Sequence, residues 1–331
     1  MTTRIGLVLG SGGLAGTAFH AGVVAALADE LGWDARGAHV IVGTSAGSTT
    51  AALLRAGFPP ADFVARMTGQ PLSAEGEALL AGMPPALSVG RTERGDGGGG
   101  KRRRPASPGM LARAARRPWT VRPGSLASGL LPPGQVSTAE LRSSFTGLLT
   151  GWPSEHLWIC AVRLSDGARV VFGQDEKRRR VSVSEAVAAS CAIPAYYEPV
   201  TIDGERYVDG GAHSLCNADL VGDIGLDALV VSAPMSTSDR VALSLDHGWR
   251  SAARAQLAVE VRRVVRAGTP VLVVHPTRAE REVMRGASLD ARRRPAIARA
   301  AYASTRQLLS HARGDAVDAV RSAAQAQRRP R

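Results

Sequence analysis

The chain has 331 residues, of which 44% are hydrophobic and 21% charged, and it carries a net charge of +12. This composition is close to ordinary globular usage and excludes a wholly disordered chain, while the length allows one large domain or two modest ones. Three cysteines exclude a disulfide framework, aromatic residues at 4% argue against a base-stacking platform for single-stranded nucleic acid, and no stretch approaches the ~20 apolar residues of a membrane span.

The first 57 residues alternate between predicted strands and predicted helices. A buried strand is predicted at Ile5–Leu9, and a helix follows from Ala18 to Leu31 after a glycine-rich turn. A second strand is predicted at Val40–Val42, and a second helix runs from Ala46 to Ala56, where a glycine ends it. This alternation is typical of a parallel sheet with crossover helices.

The alternation stops between residues 59 and 137. Residues 95–105 have the low-complexity sequence GDGGGGKRRRP, and several prolines follow. We expect residues 90–109 to form a disordered basic loop and the rest of this region to form a variable cap or lid.

The alternation resumes after residue 137. The elements predicted there are helices at Thr138–Leu149, Ser182–Ser190, Ser251–Ala267 and Pro295–Ala312, a hairpin of Trp158–Leu164 with Arg169–Phe172, and short strands at 207–208, Ala228–Ser232 and Val271–His275. The sequence therefore predicts one α/β domain over residues 1–313, followed by a basic tail over 314–331.

The positive charge is concentrated in two segments. Ten basic and two acidic residues fall within 91–122 and four basic residues within 321–331, which together account for the whole net charge of +12. Such segments attract anionic surfaces, although solvated segments without a partner are the simpler interpretation. Specific binding of nucleic acid is not expected, because no helix-turn-helix or zinc pattern accompanies the arginines.

A GxSxG sequence, Gly43-Thr-Ser45-Ala-Gly47, lies between the second predicted strand and the second predicted helix. A serine on such a tight turn sits in a strained backbone conformation that exposes its hydroxyl, and the flanking glycines let the chain segments cross closely. The N–H groups at the start of the helix favour negative charge that develops near the serine. The pattern predicts that Ser45 is a nucleophile; the alternative is a plain turn with Ser45 as helix cap.

The glycine-rich turn Gly10–Gly16 (GSGGLAG) has two interpretations. It is a variant of the dinucleotide-binding fingerprint, in which an acid about 20 residues further on binds a ribose; the candidates are Asp29, Glu30 and Asp34. It is also a series of backbone N–H groups before a helix, which can converge on an anionic oxygen. The second interpretation is favoured, because a nucleophile turn nearby in the sheet would supply that oxygen.

A nucleophilic serine needs a proton acceptor, which is most often a histidine. None of the seven histidines lies in a motif that marks it as catalytic. Asp209 is better placed, because it ends a short predicted strand and is followed by Gly210 and Gly211, which present no side chains. A carboxylate in that position can approach a serine hydroxyl.

Four blocks occur in order along the chain: Gly10–Gly16, Gly43–Gly47, Ala189–Val200 (ASCAIPAYYEPV), and Asp209-Gly210-Gly211 with Asn217 beyond. Taken together, these blocks resemble the patatin-like phospholipases, and the matching parts span about 5–58 and 138–290. The resemblance implies a three-layer α/β/α fold with a mostly parallel central sheet and a variable, partly disordered lid insertion.

The resemblance also implies the roles of the site residues. Ser45 is the expected nucleophile and Asp209 the general base of a Ser–Asp dyad that cleaves carboxylic esters of lipids through an acyl-enzyme, with no metal or other cofactor. The backbone N–H groups of Gly12, Gly13 and Leu14 are the expected oxyanion hole. The remaining motif glycines are Gly10, Gly16, Gly43, Gly47, Gly210 and Gly211.

Two positions depart from the family's pattern. Ser11 stands where the family usually has glycine, and Ala15 stands where it often has arginine or lysine. Backbone donors survive both changes, so activity is still expected. The absent basic side chain would have oriented anionic headgroups, so this loop gives no support for a preference for phospholipid.

Two other functions remain open at this point. A catalytically silent scaffold of the same fold would bind anionic membranes through its basic segments, and a dinucleotide-binding enzyme would use the glycine loop for a cofactor. The sparse cysteines indicate a reducing compartment. We therefore expect a cytoplasmic protein. Its expected substrate is a lipid or acyl ester, and peripheral contact with an anionic membrane is the alternative to solvated basic segments without a partner.

Overall fold

The described residues of the computed structural model, which are 3–81, 105–116, 121–237, 245–286 and 288–327, build an eight-stranded mixed sheet. Neighbouring strands follow the order β5-β6-β3-β2-β1-β7-β8, and β4 also pairs with β3. The strands are β1 (Ile5–Leu9), β2 (Val40–Thr44), β3 (His156–Arg163), β4 (Arg169–Phe172), β5 (Val200–Ile202), β6 (Glu205–Asp209), β7 (Ala228–Ser232) and β8 (Val271–Val274).

The sheet is mostly parallel, as predicted. Strands β3, β2, β1, β7 and β8 all run in one direction, β4 and β6 pair antiparallel with β3, and β5 pairs antiparallel with β6. Strands β1, β2 and β7 are buried along their whole length. Their sequences are almost continuously apolar because helices cover both faces of a parallel sheet, so side chains on either face are buried.

Helices form the two outer layers. One face of the sheet, with Leu7 and Ile41, packs against helices that include α1, α2, α8, α11 and α12, and the other face, with Val8 and Val42, packs against α9. The helices of the described residues are α1 (Gly13–Leu31), α2 (Ala46–Arg55), α3 (Pro60–Thr68), α4 (Ala74–Leu80), α5 (Pro108–Arg116), α6 (Pro123–Leu130), α7 (Ala139–Phe145), α8 (Val183–Ser190), α9 (Leu245–Arg266), α10 (Arg278–Met284), α11 (Arg294–His311) and α12 (Asp315–Gln327).

Helix α1 lies in the middle of its layer. It is the one helix of the described residues that is long and apolar enough to cross a membrane by length and composition, and 72% of its apolar 18-residue stretch is buried inside the fold. It packs against α2, α3 and α11. Gly22 permits the closest of these approaches, because a Cβ at this position would lie 2.5 Å from the backbone nitrogen of Tyr302.

The pairing of β3 brings two loops together. Strand β2 runs along β3 only as far as the pair Thr44 with Cys160, and β6 begins its pairing at the next position, Asp209 with Ala161. Because β4 already pairs with Ala161 on one edge of β3, β6 occupies the edge that β2 leaves. The carboxyl ends of β2 and β6 therefore meet head to head.

Some boundaries differ from the prediction. Helix α1 begins at Gly13 and not at Ala18, because the end of the glycine loop already forms its first turn. Helix α7 ends at Phe145, and Gly147 has a left-handed φ of 86°, which a continuing helix cannot accommodate. Of the predicted basic loop, residues 90–104 lie outside the described residues, and α5 begins at Pro108.

The C-terminal segment is more ordered than its charge suggested. Where a basic tail over 314–331 was expected, α12 spans Asp315–Gln327 and buries an apolar face in the main core. Val317, Val320 and Ala324 recur at helical spacing on that face. The arginines obscured this pattern, because Arg321 lies between two of these positions; residues 328–331 lie outside the described residues.

We expect Gly47→Ala to lower the free energy of unfolding by about 3 kcal/mol or more, because rigid backbone cannot make room for the new methyl group. The added Cβ would lie 1.9 Å from the carbonyl oxygen of Leu9. Gly151→Ala is the matched control, since no atom lies within 4 Å of its Cβ position and its change should stay within about 0.5 kcal/mol. Urea unfolding measures both; equal stability of the two variants would contradict this close approach of β1 and α2.

Candidate active site

Ser45 occupies the turn between β2 and α2 in a strained conformation. Its φ is 52° and its ψ is −121°, a combination that residues with a Cβ rarely adopt. Such strain costs about 1–3 kcal/mol and persists only where the surroundings enforce it. The predicted nucleophile thus has the backbone that a nucleophile turn requires.

Ser190, the last residue of α8, holds this turn in place. The backbone N–H of Ser45 donates to Oγ of Ser190 at 2.9 Å, and that hydroxyl donates to the carbonyl oxygen of Cys160 at 2.7 Å. On the other side, Oγ of Ser48 donates to the carbonyl oxygen of Ser45 at 2.7 Å. The sequence analysis identified Ser190 only as part of a motif, because the residue to which it bonds lies 145 positions away in the chain.

The turn requires glycines because neighbouring chain segments lie too close to leave room for side chains. A Cβ at Gly43 would lie 2.6 Å from Cα of Ser48, so β2 and α2 cross at backbone distance. At Gly16 a Cβ would lie 3.2 Å from Cβ of Ala46, so α1 also passes close to the turn. These contacts place the glycine loop beside Ser45.

Asp209 is the last residue of β6 and is 5% exposed. Burial raises the pKa of its carboxyl group to about 6, and interactions with the Ser45 side chain and with the N–H of Gly211 act in the opposite direction. The Gly211 N–H donates to Oδ1 at 2.7 Å and fixes the carboxylate. The structure thus brings together the two residues that were predicted to act as a pair.

The residues after Asp209 leave no space for side chains. A Cβ at Gly210 would lie 2.3 Å from the carbonyl oxygen of Cys160, and one at Gly211 would lie 2.7 Å from Oγ of Ser11. Further on, the side-chain amide of Asn217 donates to Oγ1 of Thr44 at 3.1 Å. This amide ties the loop that follows β6 to the end of β2.

His20 anchors the glycine loop from inside α1. Its Nε2 lies 2.8 Å from the carbonyl oxygen of Gly10, and its Nδ1 lies 2.8 Å from Oγ of Ser232. Because a carbonyl can only accept, Nε2 carries the proton and Nδ1 accepts from the serine. Burial lowers the pKa of His20 to about 4, so the ring is neutral. This positioning role was missed, since nothing in the local sequence marks it.

The predicted oxyanion donors differ in availability. Within the described part of the chain, no protein acceptor takes the N–H of Gly12 or Gly13. Gly13 has a φ of 58°, and its Cβ position lies 2.3 Å from the carbonyl oxygen of Ser288. The N–H of Leu14, however, donates to that same oxygen at 2.7 Å. The third predicted donor is therefore occupied by the protein itself.

A cavity of about 120 Å³ opens beside Ser45 and is bounded by Gly13 and Leu14 of the glycine loop. None of its lining residues is a histidine. His213 and His275 have pKa values that burial lowers to about 4, and neither lines this cavity. The walls are mostly apolar and include Leu53, Phe63, Met67, Leu141, Phe145 and Ile193.

Comparison with known proteins gives one family match. The family model described as patatin-like phospholipase matches residues 7–221, which include Ser45, Asp209 and the glycine loop. Among solved structures, the crystal structure of VipD from Legionella pneumophila is similar at 13% sequence identity and a TM-score of 0.41. That match covers 93% of this chain and 67% of the VipD chain.

We expect Asp209→Asn to raise the free energy of unfolding at pH 8 by an amount on the order of 3 kcal/mol. The pKa of the carboxyl rises from its ordinary value of 3.8 to about 6 on folding, so the folded state keeps the proton between these values. Stability from the neutral group is complete below pH 4 and is lost as the pH rises through 6. The amide stays neutral and can still accept from Gly211.

Urea unfolding at pH 8 and at pH 4 measures this difference, which should vanish at pH 4. Asp219→Asn is the matched control with the opposite sign. Burial raises the pKa of Asp219, but its ion pair with Arg169 at 2.7 Å outweighs burial and leaves that pKa lowered. Asp219→Asn should therefore destabilise at pH 8. A destabilised Asp209→Asn would show that the buried charge is better solvated than the structure implies.

Proposed function

The chain belongs to the patatin-like phospholipase family, which implies lipid acyl hydrolase activity, and we propose that it cleaves carboxylic esters of lipids through a Ser45–Asp209 dyad. The observation that carries this proposal is the head-to-head meeting of β2 and β6 on one edge of β3. It sets a strained serine beside a buried carboxylate at a mostly apolar cavity, and no histidine of the described residues lines this cavity.

In the first half of the reaction, Asp209 accepts the hydroxyl proton of Ser45 while Oγ attacks the carbonyl carbon of the ester. The carbonyl oxygen becomes an oxyanion, and the intermediate collapses as the alcohol leaves with the proton from Asp209. In the second half, Asp209 takes a proton from water, which attacks the acyl-enzyme. Ser45 recovers its proton, and the fatty acid is released.

The burial of Asp209 suits it to this role. A carboxylate with a pKa of 3.8 would be a weak base for a serine hydroxyl, whereas a pKa of about 6 brings it closer to neutral pH while leaving it ionised there. The Gly211 N–H orients one carboxylate oxygen, so the other can face Ser45. No third residue is needed to hold the base.

The N–H groups of Gly12 and Gly13 are the proposed donors to the oxyanion, supported by the N-terminus of α1. Leu14 can join them only after its N–H leaves the carbonyl oxygen of Ser288. A charged oxyanion is a stronger acceptor than a neutral carbonyl, which favours that exchange during the reaction.

The same occupied donor is the observation that favours the silent-scaffold alternative. If the carbonyl oxygen of Ser288 kept the N–H of Leu14, the protein would have an intact dyad but an incomplete set of oxyanion donors, and it would not turn over substrate. A fluorophosphonate probe separates the two functions, because its phosphoryl oxygen needs the same donors as an ester oxyanion. Labelling of Ser45 supports the hydrolase, and an unlabelled wild-type protein supports the scaffold.

We expect Ser45→Ala to abolish hydrolysis of a neutral lauroyl ester and all probe labelling, because it removes the attacking oxygen. Loss should reach the level of the uncatalysed reaction, and Asp209→Asn should lose a comparable factor, since the two groups act as a unit. Ser322→Ala is the control, because this exposed hydroxyl lies on α12 and donates to the carbonyl oxygen of Asp318, away from the cavity. Hydrolysis that persists in Ser45→Ala would disprove the assignment.

We expect kcat/KM for that neutral ester to rise with pH and to level off above about pH 6, because Asp209 must be ionised to accept a proton. Below the pKa the rate should fall tenfold for each pH unit. The buried histidines His20, His213 and His275 have pKa values of about 4 and cannot give this inflexion. A pH–rate profile over pH 4–9 tests this, and an unchanged rate between pH 5 and 7 would exclude Asp209 as the base.

A further inference from the structure

Two arginines line the cavity beside Ser45. Arg66 comes from the last turn of α3, and Arg294 is the first residue of α11. We propose that these two side chains form an anion-binding subsite that selects lipid esters carrying a phosphate group. This inference rests on the proposed function, because it takes the Ser45 cavity as the place where the ester binds.

The two guanidinium groups are placed at an energetic cost. Both side chains are partly buried, and burial lowers the pKa of each. The pKa of Arg66 is lowered further by the positive charge of Arg294, so the two groups are close enough to repel each other. They cannot hold α3 and α11 together by attraction, which leaves a shared anion as the natural partner of the pair.

No protein carboxylate neutralises this pair among the described residues. Other half-buried arginines of the fold are paired, such as Arg169 with Asp219 and Arg163 with Asp166. Arg66 and Arg294 make no such ion pair, and Nη1 of Arg66 is buried without a hydrogen-bond partner. A buried donor without a partner costs about 1–3 kcal/mol, so the site is incomplete as it stands.

Asp62, the acid best placed to pair with Arg66, forms its hydrogen bonds with Ser73 instead. Asp62 lies one turn earlier on α3, where an acid and an arginine four residues apart could meet. Its carboxylate instead accepts from the backbone N–H of Ser73 at 3.0 Å and from Oγ of Ser73 at 2.6 Å. Arg66 lies over the ring of Phe58, with Cζ 6.0 Å from the ring centre, which restrains its guanidinium.

The remaining contact of Arg294 also leaves it donors for a ligand. Its Nε donates to the carbonyl oxygen of Ala291, and its terminal nitrogens remain for the cavity. Two guanidinium groups offer the bidentate donors that phosphate oxygens prefer. With Ser45 and apolar walls in the same cavity, the chemistry fits a molecule that combines an ester, an acyl chain and a phosphate.

This subsite also supplies what the glycine loop lacks. The loop from Gly10 to Gly16 carries no basic residue, so an anionic group has no cation to meet on that loop. Arg66 and Arg294 reach the cavity from α3 and α11. The positive charge at the cavity therefore comes from these two helices.

The first test compares two substrates that differ only in the phosphate, 1-lauroyl lysophosphatidic acid and 1-monolaurin, below the concentrations at which they form micelles. We expect the wild type to favour the phosphate ester in kcat/KM, and Arg66→Gln and Arg294→Gln to lower this ratio about tenfold or more. Arg142→Gln is the matched control, because Arg142 is exposed on α7 next to Leu141 of the cavity wall. Its ratio should match the wild type.

The second test measures binding without turnover. Calorimetry on Ser45→Ala should show that dodecyl phosphate binds more tightly than laurate or inorganic phosphate. Adding Arg66→Gln should weaken dodecyl phosphate about tenfold or more, and Arg66→Lys should recover part of the affinity if the protein is folded. Circular dichroism of each variant confirms the fold.

The outcomes separate this inference from the proposed function. Equal, Ser45-dependent hydrolysis of both substrates would leave the hydrolase in place and overturn the subsite. Binding of dodecyl phosphate that depends on Arg66, in a protein that hydrolyses neither substrate, would support the subsite and overturn the hydrolase. Laurate that binds as tightly as dodecyl phosphate would assign the arginines to the fatty-acid product and contradict phosphate selection.

Discussion

The architecture of the site depends on the fact that two strands, β2 and β6, pair with successive parts of one edge of β3. Strand β3 pairs with β2 as far as Cys160. From Ala161 onward the same edge of β3 pairs with β6, which runs in the opposite direction. Two strands that run toward each other along one edge must end face to face. Ser45 follows the end of β2 and Asp209 ends β6, so the pairing register itself places the two residues of the proposed dyad side by side. A shift of one residue would turn either side chain to the other face of the sheet.

This arrangement places unfavourable features at one point, and the surrounding contacts compensate for them. Ser45 has a strained backbone, and Asp209 has a carboxyl group whose ionisation burial opposes. Hydrogen bonds restrain both groups: Ser190 at the end of α8 accepts from the backbone of Ser45, and Gly211 donates to the carboxylate. His20 on α1 similarly fixes the glycine loop. The serine turn, the carboxylate and the glycine loop are thus each held by a contact from a different part of the chain.

The sequence predicted what is encoded locally and missed what depends on distant partners. Strand and helix alternation, the GxSxG turn and Asp209-Gly-Gly each lie within a few residues and could be recognised directly. Ser190 was recognised only as part of a motif block, and no local pattern marks His20 or Arg66, because the groups near these side chains are brought there only by folding. Charge also misled the prediction at the C-terminus, where Val317 and Val320 make α12 a core helix despite the arginines around them.

The short segment from Ser288 to Arg294 connects three properties of the cavity. Its first residue holds the N–H of Leu14, its second lines the cavity as Leu289, and its last contributes a guanidinium group. A ligand that draws Arg294 toward an anion would therefore act on the same stretch of backbone that occupies one of the proposed oxyanion donors. Release of the Leu14 N–H costs one neutral hydrogen bond, which a charged oxyanion would replace with a stronger one. The proposed recognition of an anionic group and the proposed oxyanion hole are thus joined by the few residues from Ser288 to Arg294.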